Sequence, residues 1–405
     1  MIRYASSRST RRLCLFGSLL LGWSGQVLAF ELNEALQVHG FLSQAAALTN
    51  RNNVGGNSSD GWAFELRELG ANVSWRPDPD WLLSAQGLMR WAGRTDDGDL
   101  RLDYGFVDRT LLTGDNRLGI QLGKIKNSYG LYNTTRDVAH TRPGILMPQS
   151  IYWDRIRDFM LAAPGVSLYG EHNGPLGTLN WQASVLKPEV SATEVEYVNF
   201  LMDMPGRLKG RTSWLGQAML ELDHERWRLG VSLGDMAMRY APAGIDPLQP
   251  GTTHYRPIVL SLEHNRETWT FAAEYTEIAV KYRDHGPMFI LSDNTTQAYY
   301  VQATWRFEPR WQAYARYDAL YVSKGDRRGK QFEALTAAAG MPLPGHLLYA
   351  EDITVGLRHD PTPGWSLSLE AHRVRGAAGL ARVDHLPGLP EKGWNLLLLQ
   401  AAYRF

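Results

Sequence analysis

The chain has 405 residues, 42 basic and 42 acidic side chains, and a single cysteine, Cys14. One cysteine excludes an intramolecular disulfide and a thiolate metal site. The balanced charge excludes nucleic acid as a partner, because that needs a basic surface.

Residues 1–29 read as a cleaved secretory signal. Arg3, Arg8, Arg11 and Arg12 form a positive start, Leu13 to Leu21 is a short apolar run, and Val27-Leu28-Ala29 sets cleavage after Ala29. The run is about half of the roughly 20 apolar residues that a spanning helix needs. Cleavage takes away four basic residues, no acidic one, and Cys14, leaving a formal net charge of −4.

Beyond residue 29 no window has the length and apolarity of a spanning helix, and alternation with period two recurs. In Trp269-Thr270-Phe271-Ala272-Ala273-Glu274-Tyr275 the odd positions are apolar. Tyr299 to Phe307 repeats this, with Gln302, Thr304 and Arg306 on the other face, and Trp365 to His372 does so again. Such runs predict about sixteen strands of roughly nine to twelve residues, the length a tilted strand needs to cross a membrane. They fall near 35–48, 63–76, 81–92, 100–112, 117–126, 165–172, 178–187, 213–223, 227–240, 256–265, 268–280, 296–307, 311–322, 350–360, 365–375 and 394–405.

The connections alternate in length. Short ones, such as Pro77-Asp78-Pro79-Asp80, Thr113-Gly114-Asp115-Asn116 and Pro361-Thr362-Pro363-Gly364, carry turn chemistry. Long polar ones fall near 49–62, 93–99, 127–164, 188–212, 241–255, 281–295, 323–349 and 376–393. Trp81, Trp227, Trp269, Trp311 and Trp365 each open a strand after a short turn, where an indole suits a membrane interface.

The expected fold is therefore all-β: a transmembrane antiparallel β-barrel over residues 30–405, with short periplasmic turns and long extracellular loops. Closure is required because an unpaired backbone group in hydrocarbon costs several kcal/mol. The outward set meets outer-membrane lipid. The inward set lines the pore and includes Arg90, Arg101, Asp103, Glu171, Arg228, Glu263, Glu274, Arg306, Arg316, Arg358, Glu370 and His372. Those charges need water, so the lumen is expected to pass small hydrophilic solutes or ions.

Long unstructured connections in compact proteins are usually functional or disordered, and residues 127–164 form the longest. Their aromatic residues and paired charges predict an ordered loop that folds inward and constricts the pore. Arg136, Arg142, Arg155 and Arg157 would face Asp137, Asp154 and Asp158, with Lys124 and Lys126 beside them. The same Arg–Asp pairs could equally staple the loop to the wall.

Gly123-Lys124-Ile125-Lys126-Asn127-Ser128-Tyr129-Gly130 resembles the G-x-x-K-x-P-F-G segment of the phosphate-selective porin (porin O and P) superfamily. Ser128 replaces the Pro and Tyr129 the Phe, so Gly123, Lys126 and Gly130 match strictly. The run from Gly130 to Ser150 resembles a related porin-like group. This resemblance implies a sixteen-stranded barrel, often a homotrimer, with a channel lined by arginine and lysine. Phosphate selectivity does not carry over, because only eight lysines follow the signal. The last residues, Leu397 to Phe405, resemble the C-terminal strand that the barrel assembly machinery reads, which makes Phe405 the expected contact. Arginine outnumbers lysine about fourfold, which gives anion preference a basis in guanidinium–oxyanion pairing.

No cofactor is expected. An enzyme on a barrel scaffold would need a catalytic signature: H-E-x-x-H does not occur, and the one G-x-S-x-G match, Gly230-Val231-Ser232-Leu233-Gly234, lies inside the expected strand 227–240 and not at the strand-to-helix turn that motif needs. A structural, adhesive or export barrel is the remaining alternative.

Overall fold

Alternation sends neighbouring side chains of a strand to opposite faces. In the computed structural model, which describes residues 30–33 and 35–405, that division closes into a cylinder. The expected signal, residues 1–29, lies outside the described residues. Sixteen long antiparallel strands make the wall: β1 (Leu36–Thr49), β2 (Ala63–Asp78), β3 (Trp81–Ala92), β4 (Arg101–Leu112), β5 (Asn116–Lys126), β6 (Ala162–Gly174), β7 (Gly177–Leu186), β8 (Ser213–Leu222), β9 (Trp227–Ala241), β10 (Thr252–Asn265), β11 (Trp269–Arg283), β12 (Asn294–Glu308), β13 (Trp311–Tyr321), β14 (Tyr349–Thr362), β15 (Trp365–Gly376) and β16 (Gly393–Arg404). Two short strands, Phe30–Asn33 and Arg207–Gly210, pair with β1 and with the loop end of β9.

The ring closes where β16 pairs with β1, from Leu396 opposite Thr49 to Arg404 opposite Phe41. Phe405 and Gly40 then exchange backbone hydrogen bonds of 2.9 and 3.0 Å. Closure removes the unpaired edge that an open sheet would expose.

Every expected strand is present, and the departures lie at strand ends. Strand β10 begins at Thr252 and β12 at Asn294, a few residues earlier than alternation alone indicated. The long connections also hold helices, Thr193–Phe200 and Lys330–Ala338. The second starts where the Asp326 carboxylate accepts from the backbone N–H groups of Lys330, Gln331 and Phe332 at 2.8, 2.8 and 2.9 Å. That supplies acceptors for amides that a first helical turn leaves free.

The two faces of the wall are chemically distinct. On β10, Ile258, Leu260 and Leu262 point out, while the alternate residues Val259, Ser261 and Glu263 are buried. Outward Val301 is 53% exposed, against 2% for inward Glu274. At the short-turn end, Trp81, Trp227, Trp269, Trp311 and Trp365 each occupy the first position of a strand. Rings continue between them: Trp269 stacks on Trp305 at 5.7 Å, Trp305 meets Phe307 at 5.3 Å, and Trp365 meets Tyr403 at 4.9 Å. This aromatic girdle below an apolar belt is a surface suited to lipid.

A charge on that belt should cost far more than one on the inner face. Val301→Arg is expected to lose about 2–4 kcal/mol of stability in lipid vesicles, read from urea titration of the folded barrel. Placing arginine at an inward position of the same strand, Thr304→Arg, should cost clearly less. Equal losses would contradict the assignment of faces.

Candidate functional site: a loop inside the barrel

The connection between β5 and β6, residues 127–161, does not stay at the mouth. Its backbone and side chains bond to inward groups round most of the wall. Gly130 N–H donates to Ser232 Oγ of β9 at 3.1 Å, and Tyr132 Oη to Glu263 of β10 at 2.9 Å. Glu274 of β11 accepts from Leu131 N–H at 2.9 Å and from Tyr152 Oη at 2.6 Å. Gln302 of β12 donates to the Pro143 carbonyl at 2.9 Å. Ser150 N–H reaches Asp318 of β13 at 3.1 Å, and Leu146 N–H reaches Glu370 of β15 at 3.0 Å. Arg358, near the short-turn end of β14, donates to the His140 carbonyl at 3.0 Å. The loop therefore descends deep into the bore.

Local sequence explains the descent. Gly130 has φ +63°, and a Cβ there would lie 2.5 Å from Tyr152 Oη and 2.7 Å from Glu274 Oε1. Only glycine lets the backbone turn this close to the wall. Gly123 is similar: at φ +142° its Cβ would meet the Gly105 carbonyl at 2.3 Å. Two of the three strictly matching positions of the Gly123–Gly130 segment thus have steric causes.

On the β9–β12 side the loop packs as a core. Tyr129, Ile151, Tyr152, Phe159 and Met160 cluster with Met236, Met238, Tyr255, Val259 and Ile278. This sector of the inner wall is apolar, and the loop covers it. Burying those faces against each other stabilises the inserted loop, at roughly 25 cal/mol per Å² removed from water.

On the β2–β4 side the contacts are ionic. Arg90 of β3 binds Glu68 of β2 at 3.3 Å and also Asp96 and Asp154. Glu68 also binds Arg142, with Arg157 at 3.8 Å. Arg136 meets Asp154 at 3.3 Å, and Arg101 of β4 binds Asp96 and lies 3.5 Å from Asp158. Lys126 binds Asp137 at 2.8 Å. The Gln86 amide donates to both Asp137 at 2.6 Å and Asp103 at 2.9 Å.

This network sets the charge states of the loop. Burial pushes the Asp154 carboxyl up, but Arg90, Arg136, Arg157 and Arg142 outweigh it and hold the group well below the usual carboxylate range. Asp137 behaves alike: burial raises it, and Lys126 and Gln86 lower it further. Arg136 is fully buried, and burial with Arg157 beside it pushes its pKa down to about 9, Asp154 pulling the other way. It stays charged at neutral pH.

The structure thus gathers Arg136, Asp137, Arg142, Asp154, Arg157, Asp158 and Lys126 with Arg90, Arg101 and Asp103. Others of the expected set lie elsewhere. Lys124 falls on the outward side of β5, in step with Ile120 and Leu122, and binds Glu189 at 2.8 Å; the period of two that sends Gln121 and Ile125 inward sends it out. Arg155 leaves the cluster and donates to the Leu380 carbonyl at 3.5 Å. Arg306 lies at the exposed short-turn rim, bonded to the Glu267 carbonyl at 3.0 Å. Glu171 is near that rim too, with Asn173 at 3.0 Å, and Arg228 bridges Glu221 and Glu263 at 3.4 and 3.1 Å. Arg316 and Glu370 pair with each other at 3.3 Å on the β13–β15 wall. Glu68, where three arginines converge, was not anticipated, although its even-numbered register with Asn72 and Ser74 marks the inner face of β2.

A closed sixteen-stranded barrel with a long loop folded into its bore is a porin-type architecture. Solved structures share it over nearly their whole length. An anion-selective porin from Comamonas acidovorans aligns with a TM-score of 0.57 at 11% identity, covering 92% of this chain and 99% of that one. The outer-membrane channel DcaP of Acinetobacter baumannii gives 0.57 at 14%, covering 91% and 97%. OmpF of Salmonella typhi gives 0.58 at 11%, covering 91% and 97%. At such identities the likeness establishes the fold. No protein-family model matches the chain, and no curated protein matches it by sequence.

Proposed function

We propose that this chain is an outer-membrane channel, exported by a signal in residues 1–29, that lets small hydrophilic solutes through the space its inserted loop leaves in the bore. The observation that carries the reading is the loop itself. It is fixed to the wall by apolar packing on one side and by ion pairs on the other, so it narrows the bore to a set width. Insertion through the assembly machinery by the strand ending at Phe405, and a homotrimer, belong to the same reading. So does an orientation with the short turns in the periplasm.

Charge preference at the loop should be weak. Arg90, Arg101, Arg136, Arg142, Arg157 and Lys126 are matched by Glu68, Asp96, Asp103, Asp137, Asp154 and Asp158. The excess of arginine is thus largely neutralised there. One of the similar structures is an anion-selective porin, which makes the reversal potential worth measuring.

The test is single-channel recording in planar bilayers under a KCl gradient. The intact barrel should open to a small, steady conductance with a reversal potential near zero. Replacing residues 131–158 by a short Gly-Ser bridge should raise conductance several-fold. A barrel that conducts neither with nor without the loop would overturn the reading.

A further inference from the structure

Near the long-loop end of the wall the outer face of β14–β16 changes character. On β15 the alternation that buries His372 and Val374 leaves Arg373 and Arg375 exposed on the outside. Arg373 pairs with Ile353 of β14 and Asn395 of β16, and Arg375 with Glu351 and Gly393. Residues directly opposite across a strand pair share one face of the sheet. Ile353 is 56% exposed, and Val355, Leu369 and Leu399 continue the same outer face toward the short turns.

Strand geometry sets the height of the two arginines. Arg373 stands eight residues beyond Trp365, the girdle residue that opens β15. At about 3.3 Å per residue that is roughly 26 Å of strand, and a tilt of about 40° reduces it to roughly 20 Å. The apolar band of a membrane barrel is about 25 Å tall. A long side chain at its upper edge carries its charged head up to the level of the lipid headgroups.

Positive charge is in excess there. Among the described residues neither Arg373 nor Arg375 has a hydrogen bond or an ion pair. Glu351, opposite Arg375, is already held by Arg328 through bonds of 2.9 and 3.1 Å and by Tyr321 at 2.8 Å. Arg51 pairs with Glu391 at 3.2 Å. Four arginines thus meet two carboxylates. Other exposed cations toward this end do have acids: Arg256 has Asp235 at 2.8 Å, Arg283 has Asp293 at 3.0 Å and Lys324 has Glu277 at 2.6 Å. Arg51, Arg373 and Arg375 line a surface cavity of about 540 Å³ together with Tyr317, Ile353 and Asn395.

We propose that this cavity holds the phosphate headgroup of an anionic lipid from the surrounding leaflet. The phosphate accepts from Arg373 and Arg375, whose planar forks suit its oxygens, and an acyl chain runs down over Ile353 and Val355. Clustered basic side chains at headgroup height attract anionic lipid in this way. The proposal rests on the outer-membrane reading above, and it does not depend on conduction.

The test is native mass spectrometry of the full chain, freed of lipid in a non-ionic detergent, with lipid A, a phosphorylated glycolipid, as the probe. Saturable adducts are expected. The double variant Arg373→Gln, Arg375→Gln should bind at least fivefold more weakly, as should dephosphorylated lipid A to the unaltered chain. Arg256→Gln, which removes an exposed arginine elsewhere on the wall, should change nothing. Inorganic phosphate should not displace the lipid, because the acyl contacts belong to the site. Retained gel mobility of the unheated barrel separates loss of binding from misfolding. The proposal fails if lipid A does not bind, if the double variant binds like the unaltered chain, or if Arg256→Gln loses as much. It fails too if free phosphate displaces the lipid, if the dephosphorylated lipid binds equally well, or if Arg373→Cys crosslinks two copies of the chain, which would make protein the occupant. Cell fractionation and bilayer conductance, recorded separately, bear on the location and the channel reading.

Discussion

Glu274→Ala should release the inserted loop from the wall. Glu274 is 2% exposed and accepts four hydrogen bonds. Two come from the loop, Leu131 N–H at 2.9 Å and Tyr152 Oη at 2.6 Å; two come from the wall, Ser261 Oγ at 2.6 Å and Tyr300 Oη at 3.0 Å. Alanine removes the acceptor and leaves the donors in place. Each buried donor without a partner costs about 1–3 kcal/mol. The loop can relieve its own two by withdrawing, whereas the strand donors are fixed by the sheet. Partial withdrawal is therefore the expected outcome. It should appear as new tryptic cleavage after Arg136, which is fully buried in the intact barrel, and as a larger, noisier conductance. Glu274→Gln keeps one carbonyl acceptor and should give an intermediate result. Unchanged protease resistance and conductance in Glu274→Ala would show that apolar packing alone holds the loop.

The barrel was legible in the sequence because its governing physics is local. A strand between oil and the barrel interior must alternate, and Trp269 to Tyr275 or Tyr299 to Phe307 does so without help from distant residues. The strand ends were less legible. Thr252 and Asn294 begin strands in polar stretches where alternation has lost contrast, and pairing with neighbours extends the ladder there. The loop's inward fold was readable from its charges and aromatics, but its partners were not. Which acid Arg142 meets depends on how β2 lies beside β3, a fact of closure and not of spacing. Lys124 shows the reverse error. It stands beside Lys126 in the expected constriction, while its pairing with Gly105 and Pro164 sets it in the outward register of β5. The apolar sector formed by Met236, Met238, Val259 and Ile278 was hidden for another reason. These residues occupy the inward register that elsewhere carries polar groups, and only the loop packed on them accounts for it.

Arg90→Met should be the most destabilising change in the ionic network. The Arg90 side chain is 5% exposed and, among the described residues, is the single cation shared by Glu68, Asp96 and Asp154. Each acid has another partner: Arg142 for Glu68, Arg101 for Asp96, Arg136 for Asp154. None of those partners reaches all three, so removal of Arg90 leaves buried negative charge undercompensated. Breaking a buried ion pair from one side typically costs about 3–5 kcal/mol. Asp154 is 30% exposed, so water softens its share, and a loss of about 3 kcal/mol, the low end of that range, is expected. Urea titration in lipid vesicles measures it. Lysine should not rescue, because a compact ammonium cannot span three carboxylates as a planar guanidinium does. Glu68→Gln in the Arg90→Met background should recover part of the loss, since the two changes act on one network and are not additive. A loss under about 1 kcal/mol, the range of solvent-exposed pairs, would mean that water reaches this cluster freely. The arginines would then face the permeating solution, and the reversal potential, not stability, would be the quantity that Arg90 controls.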